Sequence, residues 1–310
     1  MRIFVAGASG AIGKPLMPRL VAAGHDVTGT TRREERAEEV RVAGATAIIC
    51  DALDADALQE AVVAAAPEVV VHALTAIPER IDWKADPLAA TNQLRLEGTR
   101  NLIAAARAAG ARRIVAESVA FLYAPRGDWV KDEEAELFVG APGPFGPTVD
   151  ALADLERQVR EAEQMEGVVL RFGNLYGPGT MFAASGSQAE EARRRRLPIV
   201  GKGTGVFSFV HVEDAAAAIV AAVERGAPGA YNVVDDEPSP MREWVPAYAQ
   251  VLGAKPPRRV PVWLASLVAG RAVAANAVEL RGASNAKAKR ELGWQPIYSS
   301  WRQGFREALG

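Results

Sequence analysis

Two repeating signatures of apolar and polar positions alternate along the chain. Short runs rich in apolar and β-branched residues, at Arg2–Ala6, Asp26–Thr31, 46–50, 69–75 and 113–118, read as parallel strands buried on both faces. Segments with helical spacing lie between them: from the turn at 7–13 to about residue 23, then Glu34–Val42, 54–65, 92–109 and 148–156. In the fourth of these, Leu94, Leu102, Ile103 and Ala106 share one side. Another strand begins at Val168 and is ended by Gly177-Pro178-Gly179, and residues 229–234 form the last sheet strand. Strand and helix alternating through short connections predict an α/β fold with a doubly wound parallel sheet. Residues 262–278 are the most apolar late segment; they carry Arg271 and are short for a bilayer span, so they read as a packed or interfacial helix.

Composition narrows the class. The 310 residues allow one large α/β domain and a smaller one. A hydrophobic content of 49%, a charged content of 24% and a net charge of −2 describe a soluble globular protein with no nucleic-acid or membrane partner. Cys50 is the single cysteine, which excludes an internal disulfide and fits a reducing, cytoplasmic setting. With the first strand beginning at residue 2, no signal peptide is expected, and no metal site is expected either.

The candidate chemistry begins at Gly7, Gly10 and Gly13, between the first strand and the first helix. Such a turn uses one glycine for the bend, one for close approach of the backbone to a pyrophosphate, and one for helix–strand packing. Phosphates would meet the free N–H groups of the helix N-terminus. At the end of the second strand, where an acidic residue would hold a ribose 2′-hydroxyl, the chain has Thr31-Arg32-Arg33. Two arginines there suit a 2′-phosphate, unless they only flank the charged helix that follows.

This G-x-x-G-x-x-G loop resembles the cofactor loop of the short-chain dehydrogenase/reductase superfamily, particularly its extended branch of epimerases, dehydratases and reductases. Further similarities follow in order: Asn92 to Leu102 resembles N-x-x-x-x-x-G-T-x-N-L, and Leu170 to Gly179 resembles L-R-x-x-N-x-Y-G-P-G. The runs at 197–203 and 207–216, and Leu292-Gly293-Trp294-Gln295-Pro296, look like later landmarks of the same family. The resemblance implies a Rossmann-like domain over 1–173, completed by about 206–234, with a smaller substrate-side domain from 174–205 and 235–310. It assigns the cofactor to Gly7, Ser9, Gly10, Ala11, Ile12 and Gly13, and then to Thr31, Arg32 and Arg33. Asp51, Ala52 and Leu53 meet the adenine, with Asp51 alternatively a helix cap, and Ala73, Leu74 and Thr75 run along the ribose. Asn92 joins the cofactor set, Phe172 and Gly173 flank the nicotinamide, and Asn174 faces the substrate. The arginines favour NADP over NAD. The helix at 92–109 commonly joins a dimer interface in the family, which makes a homodimer the expectation.

The family's catalytic residues are where the chain departs from the pattern. A Ser or Thr is expected four residues before a Tyr after the fifth strand; counting back from Tyr123 gives Val119, with Ser118 one residue off and facing the other way unless a bulge restores it. The family's Tyr-x-x-x-Lys pair aligns with Thr148 and Leu152 when Glu156 is used as the anchor, and none of the five tyrosines has a lysine four residues on. Ser118, Tyr123, Thr148 and Tyr176 are therefore the catalytic candidates, with Asp150 a further proton donor; packing or helix-dipole roles compete for Tyr123, Tyr176 and Asp150. His72 and His211 read as structural. The basic run at 193–196 reads as a helix surface or a diphosphate site, with Arg271 and Arg281 also available for a diphosphate. Trp129, Phe138 and Phe145 in the loop at 128–147 suggest a lid over an apolar or aromatic ligand. The resulting expectation is an NADP-dependent oxidoreductase or epimerase acting on a small organic or glycosyl substrate with a non-standard proton donor. The alternatives are a non-redox lyase, isomerase or cyclase, and a non-catalytic dinucleotide sensor.

Overall fold

The computed structural model describes residues 1–78 and 88–309. Its central sheet has seven strands, β1 (Arg2–Ala6), β2 (Asp26–Thr31), β3 (Thr46–Ile49), β4 (Val69–His72), β5 (Arg113–Val119), β6 (Glu166–Phe172) and β7 (Gly229–Val233). They lie in the order β3-β2-β1-β4-β5-β6-β7, and every pair is parallel. Alternation along β1 explains the two layers that cover the sheet. Ile3 and Val5 pack with Leu16, Met17 and Ile219 from helices Gly13–Ala22 and Val212–Glu224. Phe4 and Ala6 pack on the other face with Leu58, Val62 and Leu102 from helices Ala55–Ala65 and Thr99–Ala108. Each such large side chain, fully removed from water, contributes about 1.5–3 kcal/mol. The strand order reverses between β1 and β4, and there a crevice opens beyond the carboxyl ends of the strands.

Two helices differ from the sequence pattern. The helix expected from 92 starts at Ala89–Gln93, passes through a π-helical turn at Leu94–Gly98 and continues as Thr99–Ala108. The segment expected as one helix over 262–278 is two, Val262–Ala269 and Arg271–Glu279, because Gly270 between them adopts φ +90°, which breaks the helical path. Beyond β6, the short strand Asn174–Tyr176 pairs with Phe209–His211 and leads into a smaller C-terminal part. Its own core holds Tyr176, Phe182, Phe209, Trp244, Trp301 and Phe305.

A buried polar network joins the sheet to the helix Gly146–Arg160. Arg171 on β6 donates from Nε to Glu156 Oε1 (2.9 Å) and from Nη2 to Glu156 Oε2 (2.7 Å). Ser118 Oγ donates to the same carboxylate at 2.7 Å, so the serine is committed to Glu156 and faces away from the crevice. The strand has no bulge to turn it back; β5 pairs with β6 residue for residue from Arg113 to Val119. Tyr123 accepts from Arg171 Nη1 (3.0 Å) and donates to Asn232 Oδ1 (2.6 Å). Tyr176 is fully buried against Phe305, His211 and Tyr298. Burial pushes the phenol pKa of both tyrosines up. Neither Tyr123 nor Tyr176 reaches the crevice, which corrects their candidacy as proton donors.

Removing one partner of a fully buried ion pair leaves the other charge uncompensated. Arg171→Leu should lower the unfolding free energy in urea by about 3–5 kcal/mol, whereas adding Glu156→Leu to it should restore most of the loss.

Candidate active site

The crevice is a cavity of about 1140 Å³ running from the Gly7–Gly13 turn to the C-terminal part. Its first end is shaped by close backbone approach. A Cβ on Gly7, whose φ is +98°, would stand 2.2 Å from Ala73 O, and one on Gly13 would stand 2.3 Å from Ala8 O. Neither position has room for a side chain. The first helix has no side-chain cap at its N-terminus, and the amides of Ala11, Ile12 and Gly13 meet no acceptor among the described residues. Gly7, Ser9, Gly10, Ala11, Ile12 and Gly13 all line this end.

The rim beside it is basic. Ser9 and Thr31 hydroxyls meet at 3.1 Å, and Arg36 donates to Ser9 O at 3.3 Å. Thr31, Arg32 and Arg33 line the cavity; the exposed Arg32 and Arg33 guanidinium groups have no hydrogen bond or ion pair among the described residues. Asp51 and Ala52 line the next wall. Asp51 Oδ1 accepts from Leu53 N at 3.0 Å, and the cap of the following helix is Asp54, which accepts from Ala57 N at 3.1 Å. Leu53 itself stays off the cavity wall, so its place in the cofactor set is not supported by position. Ala73, Leu74 and Thr75 follow β4 along the floor, and Phe172, Gly173 and Asn174 close the far side. A Cβ on Gly173 would meet Ser208 O at 2.8 Å.

The middle of the cavity is lined from β5 and from the helix Gly146–Arg160. Thr148 and Leu152, one turn apart on the helix Gly146–Arg160, both face it, as do Glu117 and Val119 of β5. Asn92 lies behind Thr148, donating to its Oγ1 at 3.3 Å and accepting from Arg95 Nη1 at 3.0 Å; it braces the wall rather than lining it. Glu117 and Arg95 were not singled out by the sequence. The signal for Glu117 was present: once Ser118 faces away from the crevice, Glu117 and Val119 must both face into it. Arg95 sits in the π-helical turn, which no sequence pattern announced.

Glu117 is half-buried, and its carboxyl has no hydrogen-bond or ion-pair partner among the described residues. Burial pushes its pKa from 4.5 up to about 7, against a weaker pull downward from Arg95. Arg95 is itself held down, to about 10, by burial. Most of the remaining residues singled out by sequence fall outside the cavity. Asp150 accepts from Gly140 N at 2.8 Å on an exposed face. His72 meets Thr99 Oγ1 at 2.9 Å in the core, and His211 Nδ1 accepts from Glu213 N at 3.2 Å. Arg194 pairs with Glu190, Arg195 donates to Pro256 O, and Arg281 lies 4.0 Å from the Trp129 ring centroid. Of the lid aromatics, Phe145 lines the cavity and stacks on Phe121 at 6.2 Å, while Trp129 and Phe138 do not line it.

Residues 3–234 match the NAD dependent epimerase/dehydratase family. The chain belongs to that family. It is 48% identical over 307 residues to a Streptomyces 3-diazoavenalumate denitrifying reductase, covering 98% of this chain and 99% of the relative. It is 29% identical to the 2-alkyl-3-oxoalkanoate reductase of Stenotrophomonas maltophilia, covering 82% of this chain and 76% of the relative. In fold it is similar to a UDP-glucose 4-epimerase of Thermus thermophilus solved with NAD, with a TM-score of 0.75, 24% identity, and coverage of 100% of this chain and 98% of that one. The protein is thus an enzyme of a family whose members here are reductases and epimerases.

A carboxyl whose pKa is raised on folding binds more protons folded than unfolded, so it favours the folded state at low pH and costs stability as pH rises from about 4.5 through about 7. Glu117→Gln should therefore raise the unfolding free energy by on the order of 2 kcal/mol at pH 8. Chemical denaturation at both pH values should show most of that gain gone at pH 4.5.

Proposed function

We propose that the protein is an NADP-dependent reductase that replaces the diazonium group of an aromatic acid with hydrogen, releasing dinitrogen. The observation that carries this reading is the middle of the cavity, where Val119, Thr148 and Leu152 face inward and no tyrosine or lysine does among the described residues. Ketone reduction needs a proton at oxygen as hydride reaches carbon. Displacing dinitrogen needs none: hydride brings the electron pair of the new C–H bond, and the C–N pair leaves with the nitrogen. The balance is R–N₂⁺ plus hydride giving R–H plus N₂, with no proton taken up or released. A relative at 48% identity whose name states a denitrifying reduction of a diazo compound supports the same chemistry.

The residues fit a dinucleotide. The turn at Gly7 and Gly13 leaves no room for side chains, and the free amides of Ala11, Ile12 and Gly13 suit a pyrophosphate. Arg32 and Arg33 would hold a 2′-phosphate, Asp51 would accept from the adenine amine, and Phe172 with Gly173 would flank the nicotinamide. Bound there, the dinucleotide supplies the hydride; the protein's part is to orient the acceptor carbon and exclude water. Phe121 and Phe145 offer flat apolar surface to an aromatic ring, and Asn174 offers an amide to the substrate.

Glu117 favours a second reading, in which its neutral form gives a proton to a carbonyl oxygen. That reading requires kcat to fall as pH rises above about 7, where Glu117 ionises.

Calorimetric titration should show NADPH binding tighter than NADH by about tenfold to a hundredfold, the range of one hydrogen bond to a charged group. The Arg32→Ala/Arg33→Ala variant should lose the preference. With 4-diazobenzoate, the enzyme should release N₂ and oxidise NADPH in equal amounts, faster than the uncatalysed background, and deuterium from labelled NADPH should appear at the carbon that held nitrogen. Tyr123→Phe and Tyr176→Phe should each keep kcat within about threefold, since neither side chain lines the cavity; Tyr176 has no hydrogen bond to lose among the described residues, and the loss of the Tyr123 bonds to Arg171 and Asn232 falls on the fold, at about 1–3 kcal/mol. A hundredfold loss in either, with the fold intact, would overturn the proton-free reading.

A further inference from the structure

The denitrifying reading explains why a proton donor is dispensable; it does not explain why an acidic side chain stands in the middle of the cavity. Glu117 faces the cavity from β5, on the same side of the strand as Val119. Together with Thr75, Arg95, Ser118 and Leu152, among others, it also borders a small adjoining void. The neighbours from each surrounding element are neutral apart from one: Leu74 and Thr75 follow β4, Thr148 and Leu152 come from the helix Gly146–Arg160, and Arg95 from the π-helical turn is the charged group whose field its carboxyl feels. Arg95 forms no ion pair with it, and its Nη1 is engaged by Asn92 Oδ1. A partly buried carboxylate that receives no hydrogen bond among the described residues is costly unless a cation joins it.

We propose that Glu117 is the specificity-determining residue that selects a cationic acceptor over a neutral one. Its carboxylate provides the countercharge for a diazonium carbon–nitrogen unit held between it and the aromatic pair Phe121 and Phe145. A neutral ketone of the same shape draws nothing from that charge and, where it displaces water from the carboxylate, loses by it. The selection rests on the denitrifying reading for the identity of the cation, and on geometry alone for the residue. A cation that binds only the ionised carboxylate must release the proton that Glu117 holds at lower pH, so cation affinity rises with pH through the range near 7.

The test uses the NADPH-saturated enzyme and two unreactive ligands of matched shape, 4-(trimethylammonio)benzoate and 4-tert-butylbenzoate, titrated calorimetrically at pH 6 and pH 8. The cationic ligand should bind about tenfold tighter at pH 8, the ratio of ionised fractions for a carboxyl titrating near 7, and the neutral-headed ligand should show no such rise. Glu117→Gln should abolish the pH dependence and the preference for the cation, Glu117→Asp should keep part of both, and NADPH affinity should be unchanged in each. Equal affinity of wild type and Glu117→Gln for the cationic ligand at pH 8 would overturn the proposal, as would a tenfold rise that survives in Glu117→Gln. The two readings fail separately. An enzyme that selects the cation through Glu117 but releases no N₂ from 4-diazobenzoate overturns the denitrifying function alone. N₂ release with wild-type KM in Glu117→Gln overturns the role of Glu117 alone.

Discussion

The ion pair between Arg171 and Glu156 is the constraint on which the rest of the site depends. Both groups are withdrawn from water, and their desolvation is offset only because almost every donor and acceptor is used. Glu156 receives two N–H groups from Arg171 and the hydroxyl of Ser118; Arg171 spends Nη1 on Tyr123 and on Glu133 O. Through that one pair, β5, β6, the helix Gly146–Arg160 and the loop around Glu133 are held in a fixed relation. Tyr123 extends the tie to Asn232 on β7.

This arrangement decides which residues are free to do chemistry. A serine and a tyrosine that stand near the family's catalytic positions are consumed by the network, and their polar atoms point at the core. The strand that buries Ser118 on one side must present Glu117 and Val119 on the other. The same alternation that removes a hydroxyl from the cavity therefore brings a carboxylate into it. Thr148 and Leu152 are held facing the cavity by the anchoring of their helix through Glu156, one turn beyond Leu152.

The fold was legible in the sequence because its signals are local. Valine-rich strands such as β4, helices of ordinary length and glycines that open a turn each announce themselves within a dozen residues. The glycine-turn end of the cavity was legible for the same reason, since the close backbone approach at Gly7 and Gly13 and the position of Arg32 and Arg33 on the cavity wall follow from residues next to the elements that present them. The middle of the cavity was harder to read, because there the role of a residue is set by partners far away in the chain. Ser118 is claimed by Glu156 and Arg171, and Tyr176 by residues as distant as Tyr298 and Phe305. The helix expected over 262–278 failed for a local reason: Gly270 takes a backbone angle that ends a helix, and apolar periodicity does not register it. Arg95 escaped because an arginine on the apolar side of its helix reads as an exception to the pattern, and nothing in the sequence announces the π-helical turn that carries it.

The electrostatics of the cavity follow a consistent logic along its length. At the glycine-turn end, Arg32 and Arg33 and the amides of Ala11, Ile12 and Gly13, unpaired among the described residues, supply positive potential of the sign that a phosphate would need. Further in, Glu117 brings a carboxyl to the cavity wall, beside Arg95, which also lines it and donates from Nη1 to Asn92 Oδ1. A carbonyl acceptor would draw on the donors there, Thr148 and Arg95, since charge grows negative on its oxygen as hydride arrives. An acceptor that begins cationic and ends neutral loses positive charge in the same step, so a nearby carboxylate stabilises the bound state most before hydride transfer. As a countercharge its contribution would then be to binding and selection and not to lowering the barrier, so by the logic of differential binding its loss would raise KM without lowering kcat. That division separates a countercharge from a proton donor on kinetic grounds, because loss of a proton donor would fall first on kcat.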